Sequence, residues 1–408
     1  MNRAVAEAVP VTEVVAAVET ARLEQPWRDL TRRSAEPNAF ADPAFLLPAL
    51  RHAAVPARLT AICVWDGRDR ARLDGLAILR RPFAPFAPTD IWRSEQAASP
   101  ALLVARDRAT ATLLAMLDGI AAQWPAAPAL CVPWLGADGA LASAMREAAA
   151  MRGARLVAAN PRQRAALACG ADAPAEPAID PKRRKEWARQ RRRLAERGAL
   201  AFGWASDGAA VEDFLTLEAS GWKGARGTAL LAEPGRAAFA RAALIRFADE
   251  GRLRIATLSL DGRTIAAGVV LFAGERAFFW KTAFDERLSA FSPGVQLALA
   301  MARDLAADPR LALADSCADP DHPMIDRIWT ERVALADVMV SLRPGRGRAL
   351  DVVLAGDRMR TGIKRLLRYA AHLPLTLRGA AGRLRGGSEV STFSLQPRCF
   401  SVGADNPD

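Results

Sequence analysis

The run Asp315-Ser316-Cys317-Ala318-Asp319-Pro320-Asp321-His322 gathers three carboxylates, a hydroxyl, a thiol and an imidazole within eight residues. It follows an apolar run, Leu311 to Asp315, that reads as a buried strand. Loops at strand ends are where a rigid sheet can hold reacting groups. Asp321 and His322 could take a proton from an attacking amine or hydroxyl, with Asp315 beside them as a third catalytic candidate. The plainer reading is a turn of Asp and Pro residues that caps the next element. Asp319, Asp321 and His322 make a thin ligand set for a hard cation, so no metal is expected.

A second constellation lies just upstream. Ala277 to Ala283 reads as a strand, and Ser292-Pro293-Gly294-Val295 then opens a helix reaching Ala306. Ser292 suits an N-cap, and Pro293 suits the first helical position, where a missing N–H costs nothing. Gly294 allows close approach to the backbone. A strand that delivers a helix N-terminus in this way offers a ready site for a phosphate or pyrophosphate. An ordinary capped helix packed on a sheet has the same letters. Lys223 and Lys281 stand out because only five lysines occur among 56 basic residues. Each neighbours a tryptophan, Trp222 and Trp280, and each suits a phosphate or carboxylate of a substrate.

These groups require an alternating scaffold. Helical patterns cover Pro43–Ala54, Ala109–Gln123, Ala140–Met151, Ala209–Ser220, Gly235–Ala248 and Pro293–Ala306. Strand patterns cover Leu59–Trp65, Leu73–Arg80, Leu130–Leu135, Leu200–Trp204, Leu253–Leu260, Thr264–Ala273, Ala277–Ala283 and Glu331–Leu342. The order is mixed α/β, an α+β arrangement of mostly antiparallel sheets flanked by helices. Gly170 to Pro181 reads as a linker with three prolines. Asp180 and Pro181 start a helix, Lys182–Arg197, with nine basic side chains and an apolar stripe reduced to Trp187 and Leu194. It reads as a solvated face or as a basic arm for an anionic substrate.

Composition excludes several classes. A chain of 408 residues implies two domains. Its formal charge of +11 invites nucleic acid, but the arginine and alanine bias fits a GC-rich coding genome equally well, and no DNA-binding motif is present. Five scattered cysteines without a C-x-x-C argue for a reducing compartment. No apolar run is long enough to span a bilayer, and a cytoplasmic location is expected. The pattern from Leu350 to His372 is a basic helix whose stripe of Ile363, Leu366, Leu367 and Ala370 suits packing or peripheral contact with an anionic membrane. The chain after Gly386 reads as disordered.

The elements Trp222-Lys223-Gly224 with Gly227-Thr228, Lys281-Thr282-Ala283-Phe284-Asp285 and Ser292-Pro293-Gly294 resemble the BioF-like acetyltransferase branch of the GNAT superfamily, with its cellulose-biosynthesis-associated CelD-type bacterial proteins. That branch is related to the Fem-type aminoacyltransferases. The resemblance runs from about Lys182 to Val340, with a weaker echo from Trp27 to Arg81. It implies tandem GNAT-like domains: residues 1–170, then a linker and basic helix over 171–198, a second domain over 199–345, and a basic helix and tail over 346–408. Two such halves imply an internal duplication, although no self-similarity stands out in the letters.

The resemblance also implies transfer of an acyl group from acyl-CoA to an amine or hydroxyl of a cell-envelope or polysaccharide precursor. Ser292, Pro293, Gly294 and Val295 would then hold the donor, and Trp222, Lys223, Lys281 and Trp329 the acceptor. Relatives carry a Tyr-Lys pair between the positions of Asp315 and Trp329, and here it is missing. The tyrosine that often protonates the departing thiolate has no counterpart in the matched region, since the sole tyrosine is Tyr369. Two rival readings stay open. One is an aminoacyl-tRNA-dependent Fem-like transferase, disfavoured by the short basic arm. The other is a non-catalytic subunit of an exopolysaccharide assembly.

Overall fold

Strands buried on both faces need helices on both faces, and this sequence supplies them. In the computed structural model, which describes residues 9–359 apart from 53–58, 85, 172, 175–177, 346–348 and 357–358, the strands form one continuous sheet. The first half contributes β1 (Val11–Ala16), β2 (Leu59–Trp65), β3 (Leu73–Arg80), β4 (Thr89–Ile91), β5 (Leu102–Val104), β6 (Ala129–Gly136) and β7 (Leu156–Ala168). Its helices are α1 (Glu24–Arg33), α2 (Pro43–His52), α3 (Ala109–Gln123) and α4 (Ala140–Met151). Helix α5 (Pro181–Ala195) leads to the second half. That half holds β8 (Leu200–Ala205), β9 (Leu253–Leu260), β10 (Arg263–Ala273), β11 (Arg276–Phe284), β12 (Leu313–Asp315) and β13 (Glu331–Ser341). Its helices are α6 (Gly208–Ser220), α7 (Trp222–Ala225), α8 (Pro234–Asp249) and α9 (Pro293–Ala306).

The strand order is β1-β2-β3-β4-β6-β13-β7-β12-β11-β10-β9-β8, with β5 set beside β3. Read from either end, the same plan appears. Four strands pair antiparallel, the fourth runs parallel to the next, and an antiparallel pair closes the centre. The duplication that the letters concealed is therefore plain in the topology. It recurs in detail at one glycine per half. A Cβ on Gly75 of β3 would lie 2.5 Å from Thr112 Cγ2 of α3, and one on Gly268 of β10 would lie 3.3 Å from Leu297 Cδ2 of α9. A Cβ at Gly75 would collide with the crossing helix, while one at Gly268 would press on its crossing helix and collide with Phe279 of β11, 2.8 Å away.

The halves are interlocked. β13, from the end of the second half, lies between β6 and β7, while β7 of the first half lies between β13 and β12. The 199–345 segment thus does not close its own sheet, and the boundary expected at 170 falls just after a shared central strand. One face of the sheet carries a single core from both halves, with Phe45 edge-on to Phe40, Phe239 and Trp280, and Phe40 edge-on to Phe278. The other face carries two cores, one under α3 and α4 and one under α5 and α9. Strand alternation assigns the sides: Phe278 and Trp280 face the shared core, Ala277 and Phe279 the α9 core. Arg252 adds a charged tie across the halves, at 2.7 and 3.0 Å from the buried Asp42 carboxylate.

Residues 349–356 are helical, and Leu350 and Leu354 pack on Ala129 and Met339. The remainder of the expected C-terminal helix, with its Ile363–Ala370 stripe and Tyr369, lies outside the described residues, as does the tail after Gly386. Among the described residues, no helix is long and apolar enough to cross a membrane.

Candidate active site

The site grows out of one topological event. β11 and β12 run parallel, paired at Arg276↔Leu313, Ala277↔Ala314 and Phe278↔Asp315, and then part. At that point β11 bulges. Its ladder with β10 passes from Phe279↔Val270 to Lys281↔Val269 and skips Trp280. A bulge leaves its extra residue outside the ladder and re-aims the side chains around it. The gap between the parting strands lies on the route from β11 into α9.

Ser292 departs from the expected cap. It adopts a left-handed conformation (φ 50°, ψ 56°), and its side chain makes no capping bond. Its carbonyl accepts from Val295 N–H at 3.0 Å and Gln296 N–H at 3.1 Å. Pro293 brings no N–H, so Gly294 carries the one amide of this first turn with no acceptor among the described residues. Gly294 is buried, and a Cβ there would meet Phe284 at 3.4 Å and Met324 Sδ at 3.8 Å. Val295 stays partly exposed. This helix start fits an anion of limited size, held by the Gly294 amide and the partial positive charge of α9.

The basic helix α5 stands beside it. Asp180 caps α5 by accepting from Arg183 N–H at 3.0 Å, and Trp187 and Leu194 are buried. Gln296 of α9 donates from Nε2 to the Trp187 carbonyl at 3.0 Å. Arg197 and Arg193 lie over the ring of Phe291, 4.6 and 5.7 Å from its centre. Phe291 immediately precedes Ser292, so part of the positive charge of α5 reaches the start of α9.

Lys223 is largely engaged within the protein. Its Nζ donates to Glu218 Oε1 at 3.2 Å and to the Thr282 carbonyl at 3.0 Å, tying the α6–α7 corner to β11. Glu218, 2 % exposed, also accepts from Leu230 N–H. Lys281 differs: no described acceptor serves its Nζ, which lies 5.4 Å from the centre of the Trp280 ring. Burial lowers its pKa from the usual 10.5 to about 8, helped by Lys223 and Arg236 and opposed by Glu218. Trp222 lies at the surface, 37 % exposed, under Arg226.

The Asp315–His322 loop needs three corrections. Asp315 is buried and faces the fully buried Arg164 at 3.3 Å, while its Oδ1 accepts from Cys317 N–H at 2.8 Å. Its carboxylate is thus a buried ion-pair partner rather than a base open to substrate. His322 Nδ1 accepts from the amides of Met324 and Ile325, both at 3.3 Å. Burial lowers its pKa, with Lys223 adding to the effect and Asp326 and Asp319 opposing it. Neutral imidazole with Nδ1 engaged carries its proton on Nε2. His322 can donate a hydrogen bond from Nε2, while its Nδ1 lone pair faces the two amides. Trp329 is wholly buried against Phe279 and belongs to the core, not to a substrate wall. Asp321 sits in an exposed left-handed turn. Burial and Asp315 push the Cys317 thiol well above its usual pKa, so it supplies no thiolate.

The structure thus places Gly294, Phe284 and Met324 together, and joins Lys223 to β11 within electrostatic reach of both Lys281 and His322. Residues 181–319 match the family model described as acetyltransferase (GNAT) domain. Over this segment the chain is similar to a GNAT-type domain. No curated protein matches the sequence. The solved structures that are similar to the chain include the following three. FemX is 11% identical, covering 78% of this chain and 95% of its own, with a TM-score of 0.49. The C-terminal domain (DUF2156) of a putative lysylphosphatidylglycerol synthetase from Agrobacterium fabrum is 12% identical, covering 83% and 96%, at 0.49. A tandem GNAT protein from the clavulanic acid biosynthesis pathway is 18% identical, covering 82% and 99%, at 0.40. The GNAT-type match spans the parting strands and the start of α9.

Sequence reasoning overlooked Glu218, Arg164 and Trp280 as members of this region. Glu218 had one usable signal: a carboxylate five residues before a rare lysine. Arg164 had none, because its partner lies 151 positions away. Among the described residues, no group of three His, Cys, Asp or Glu side chains is placed to hold a metal.

Proposed function

We propose that the protein transfers an acyl group from acyl-CoA to an amine or hydroxyl of a cell-envelope or polysaccharide precursor. The carrying observation is the parting of β11 and β12 beside a bulge, with the free Gly294 amide at the start of the next helix. The match of residues 181–319 to the GNAT domain supports the reaction class. The precursor class rests on the sequence resemblance.

When bound, acyl-CoA supplies the activated acyl thioester. The protein's part is to orient both reactants and to manage one proton. Gly294 N–H and the α9 terminus hold an anionic group of the donor, with Arg197 adding positive field nearby. Lys281 accepts the proton that the attacking group sheds, because a lysine with a pKa of about 8 is partly neutral near neutral pH; as the new acyl bond forms the C–S bond breaks, and CoA leaves as a thiolate that takes its proton from water. His322 donates a hydrogen bond from Nε2 and keeps its proton. Lys223 and Glu218 keep Lys281 in place and set its charge.

Native mass spectrometry of the purified protein with acetyl-CoA tests the donor. A one-to-one complex is expected, and its absence at donor concentrations of about 1 mM would remove this reading. The exposed basic side chains of α5 favour aminoacyl-tRNA as the second donor to test.

A further inference from the structure

In the first half the parallel pair also parts, and a different chemistry fills the gap. β4 and β6 pair at Thr89↔Leu130 and Asp90↔Cys131 and then separate. Arg93 follows β4, and Trp134 stands on β6. The guanidinium carbons of Arg93, Arg162 and Arg164 lie 4.8, 4.7 and 5.1 Å from the centre of the Trp134 ring. An indole attracts one such cation, but three around one ring also repel each other.

Carboxylates answer two of the three directly. Asp337 takes Arg162 through both terminal nitrogens at 3.0 and 2.8 Å, and Asp315 faces Arg164. Among the described residues, no carboxylate lies within ion-pairing distance of Arg93. Its Nη1 donates to the Ala97 carbonyl at 2.5 Å, and Asp319 acts on it only at longer range. Arg164 donates from Nη2 to the Ala98 carbonyl at 2.9 Å, yet its buried Nε finds no acceptor. A buried charged donor without a partner is costly, and native structures rarely keep one without a use.

The backbone is held here against its preference. Trp134 and Asn160 both adopt left-handed conformations, with φ of 57° and 50°. Asp337 ties them down, accepting from Trp134 N–H at 3.0 Å and Asn160 Nδ2 at 2.9 Å. β13 is bulged against both neighbours at this point. Such residues persist where surrounding structure enforces them, commonly at sites. Arg93, Arg162 and Trp134 remain partly exposed, so the cluster is open on one side.

We propose that Arg93, Arg162 and Arg164, gathered on Trp134 where the halves meet, form a subsite for a phosphate or carboxylate group of the acceptor. The word acceptor rests on the acyltransferase reading; the anion subsite itself does not. Planar guanidinium forks suit both oxyanions. The subsite also touches the candidate active site. Arg93 opens the loop whose Gln96 carbonyl accepts from Trp280 Nε1 at 2.6 Å, and Trp280 is the bulged residue of β11.

Calorimetric titration with glucose 1-phosphate, glucuronate and neutral glucose tests this on the full chain. One or both anions should bind and glucose should not. Binding of glucose 1-phosphate alone assigns a phosphate, and binding of glucuronate alone a carboxylate. Arg93→Ala should weaken the anion at least about tenfold, and Arg93→Lys should recover part of the loss for the phosphate. Arg93→Gln, which keeps a donor for the Ala97 carbonyl, replaces the alanine variant if that one does not fold. No anion binding at about 10 mM, or binding unchanged in a folded Arg93 variant, would overturn the subsite. CoA is titrated into the same samples. CoA binding without anion binding removes the subsite and leaves the donor reading. The reverse result keeps the subsite and removes the donor reading.

Discussion

In the second half, the gap between parallel strands leads to a proline, a glycine and an unengaged amide. In the first half, the same gap holds an indole surrounded by arginines. The helix that follows starts differently too. α3 begins after Arg106-Asp107-Arg108, with Arg108, Arg33 and Arg72 turned on the buried Asp74 at 3.5, 3.5 and 2.8 Å. The first half therefore supplies its own anion near its crossing helix, whereas the start of α9 has an amide with no acceptor among the described residues. One strand plan has been fitted with two electrostatic characters, and a two-substrate reaction can use both. The comparison yields four predictions.

The largest effect is expected where the halves meet. Asp315→Ala would leave Arg164 buried without its carboxylate, and breaking a buried pair on one side costs about 3–5 kcal/mol. Asp74→Ala should cost less, because Arg33, Arg72 and Arg108 are 30%, 37% and 12% exposed and can turn to water. Urea denaturation of both variants decides the order. An Asp315→Ala protein of normal stability but without activity would return Asp315 to the catalytic set.

The second prediction separates the two helix starts as donor sites. Gly294→Gln places a long side chain against Phe284 and Met324 and over the free amide, and should weaken CoA by about tenfold or more. Thr110→Gln, at the corresponding turn of α3, should leave CoA affinity unchanged. Equal losses in calorimetry would mean that the asymmetry between the halves is not one of donor binding.

How much of this was legible in the sequence follows the same division. The second half read well: the expected 253–260 strand and 293–306 helix match β9 and α9, and β10 and β11 extend only slightly beyond their expected bounds. Apolar periodicity, Asp-Gly turns and a proline at a helix start are local signals, and local physics fixed those elements. The first half read less well. β1, α1, β4, β5 and β7 were missed. β7 carries Asn160, Pro161, Arg162, Gln163 and Arg164, a polar run that looks nothing like a central strand. It sits centrally because Asp337 and Asp315 arrive from the other half to neutralise it. A strand whose polarity is satisfied across 150 or more positions has no short-range signature. The candidate site divides likewise: the strand that holds Lys281 and the helix that starts at Pro293-Gly294 could be placed from local pattern, while the bonds and burial of His322, Asp315 and Trp329 are not encoded in spacing.

The third prediction concerns pH. Lys281 has a pKa of about 8 when folded and an ordinary value of 10.5. Between those values the unfolded chain holds a proton that the folded chain lacks. Stability at this site therefore rises with pH through that window, by at most about 1.4 kcal/mol per pH unit, and the cost of burying the ammonium is fully present below about pH 8. Lys281→Met should flatten that slope. The counterpart gap holds arginines, which stay charged throughout, so Arg93→Met should leave the slope as it is. Denaturation curves at pH 7.5, 8.5 and 9.5 read the difference, and parallel curves for wild type and Lys281→Met would refute the lowered pKa of this half-buried lysine.

The smallest effect is expected on α5, which has no counterpart among the described residues ahead of β1. Its buried contacts are Trp187 and Leu194, and Arg191, Arg192 and Arg193 are exposed. Arg193 shares the ring of Phe291 with Arg197, which is closer, so losing Arg193 leaves that contact occupied. The triple change to alanine should shift stability by less than about 0.5 kcal/mol. It should also leave acetyl-CoA binding within about twofold, since exposed charges at this range are screened by salt. A filter-binding titration against total tRNA completes the test. A helix that carried tRNA would neutralise several phosphates, and affinity would then fall by orders of magnitude between low and physiological salt. The expected result is no such affinity. Tight, salt-sensitive binding that disappears in the triple variant would move the donor from acyl-CoA to aminoacyl-tRNA. It would also make α5, rather than the start of α9, the feature that sets the second half apart from the first.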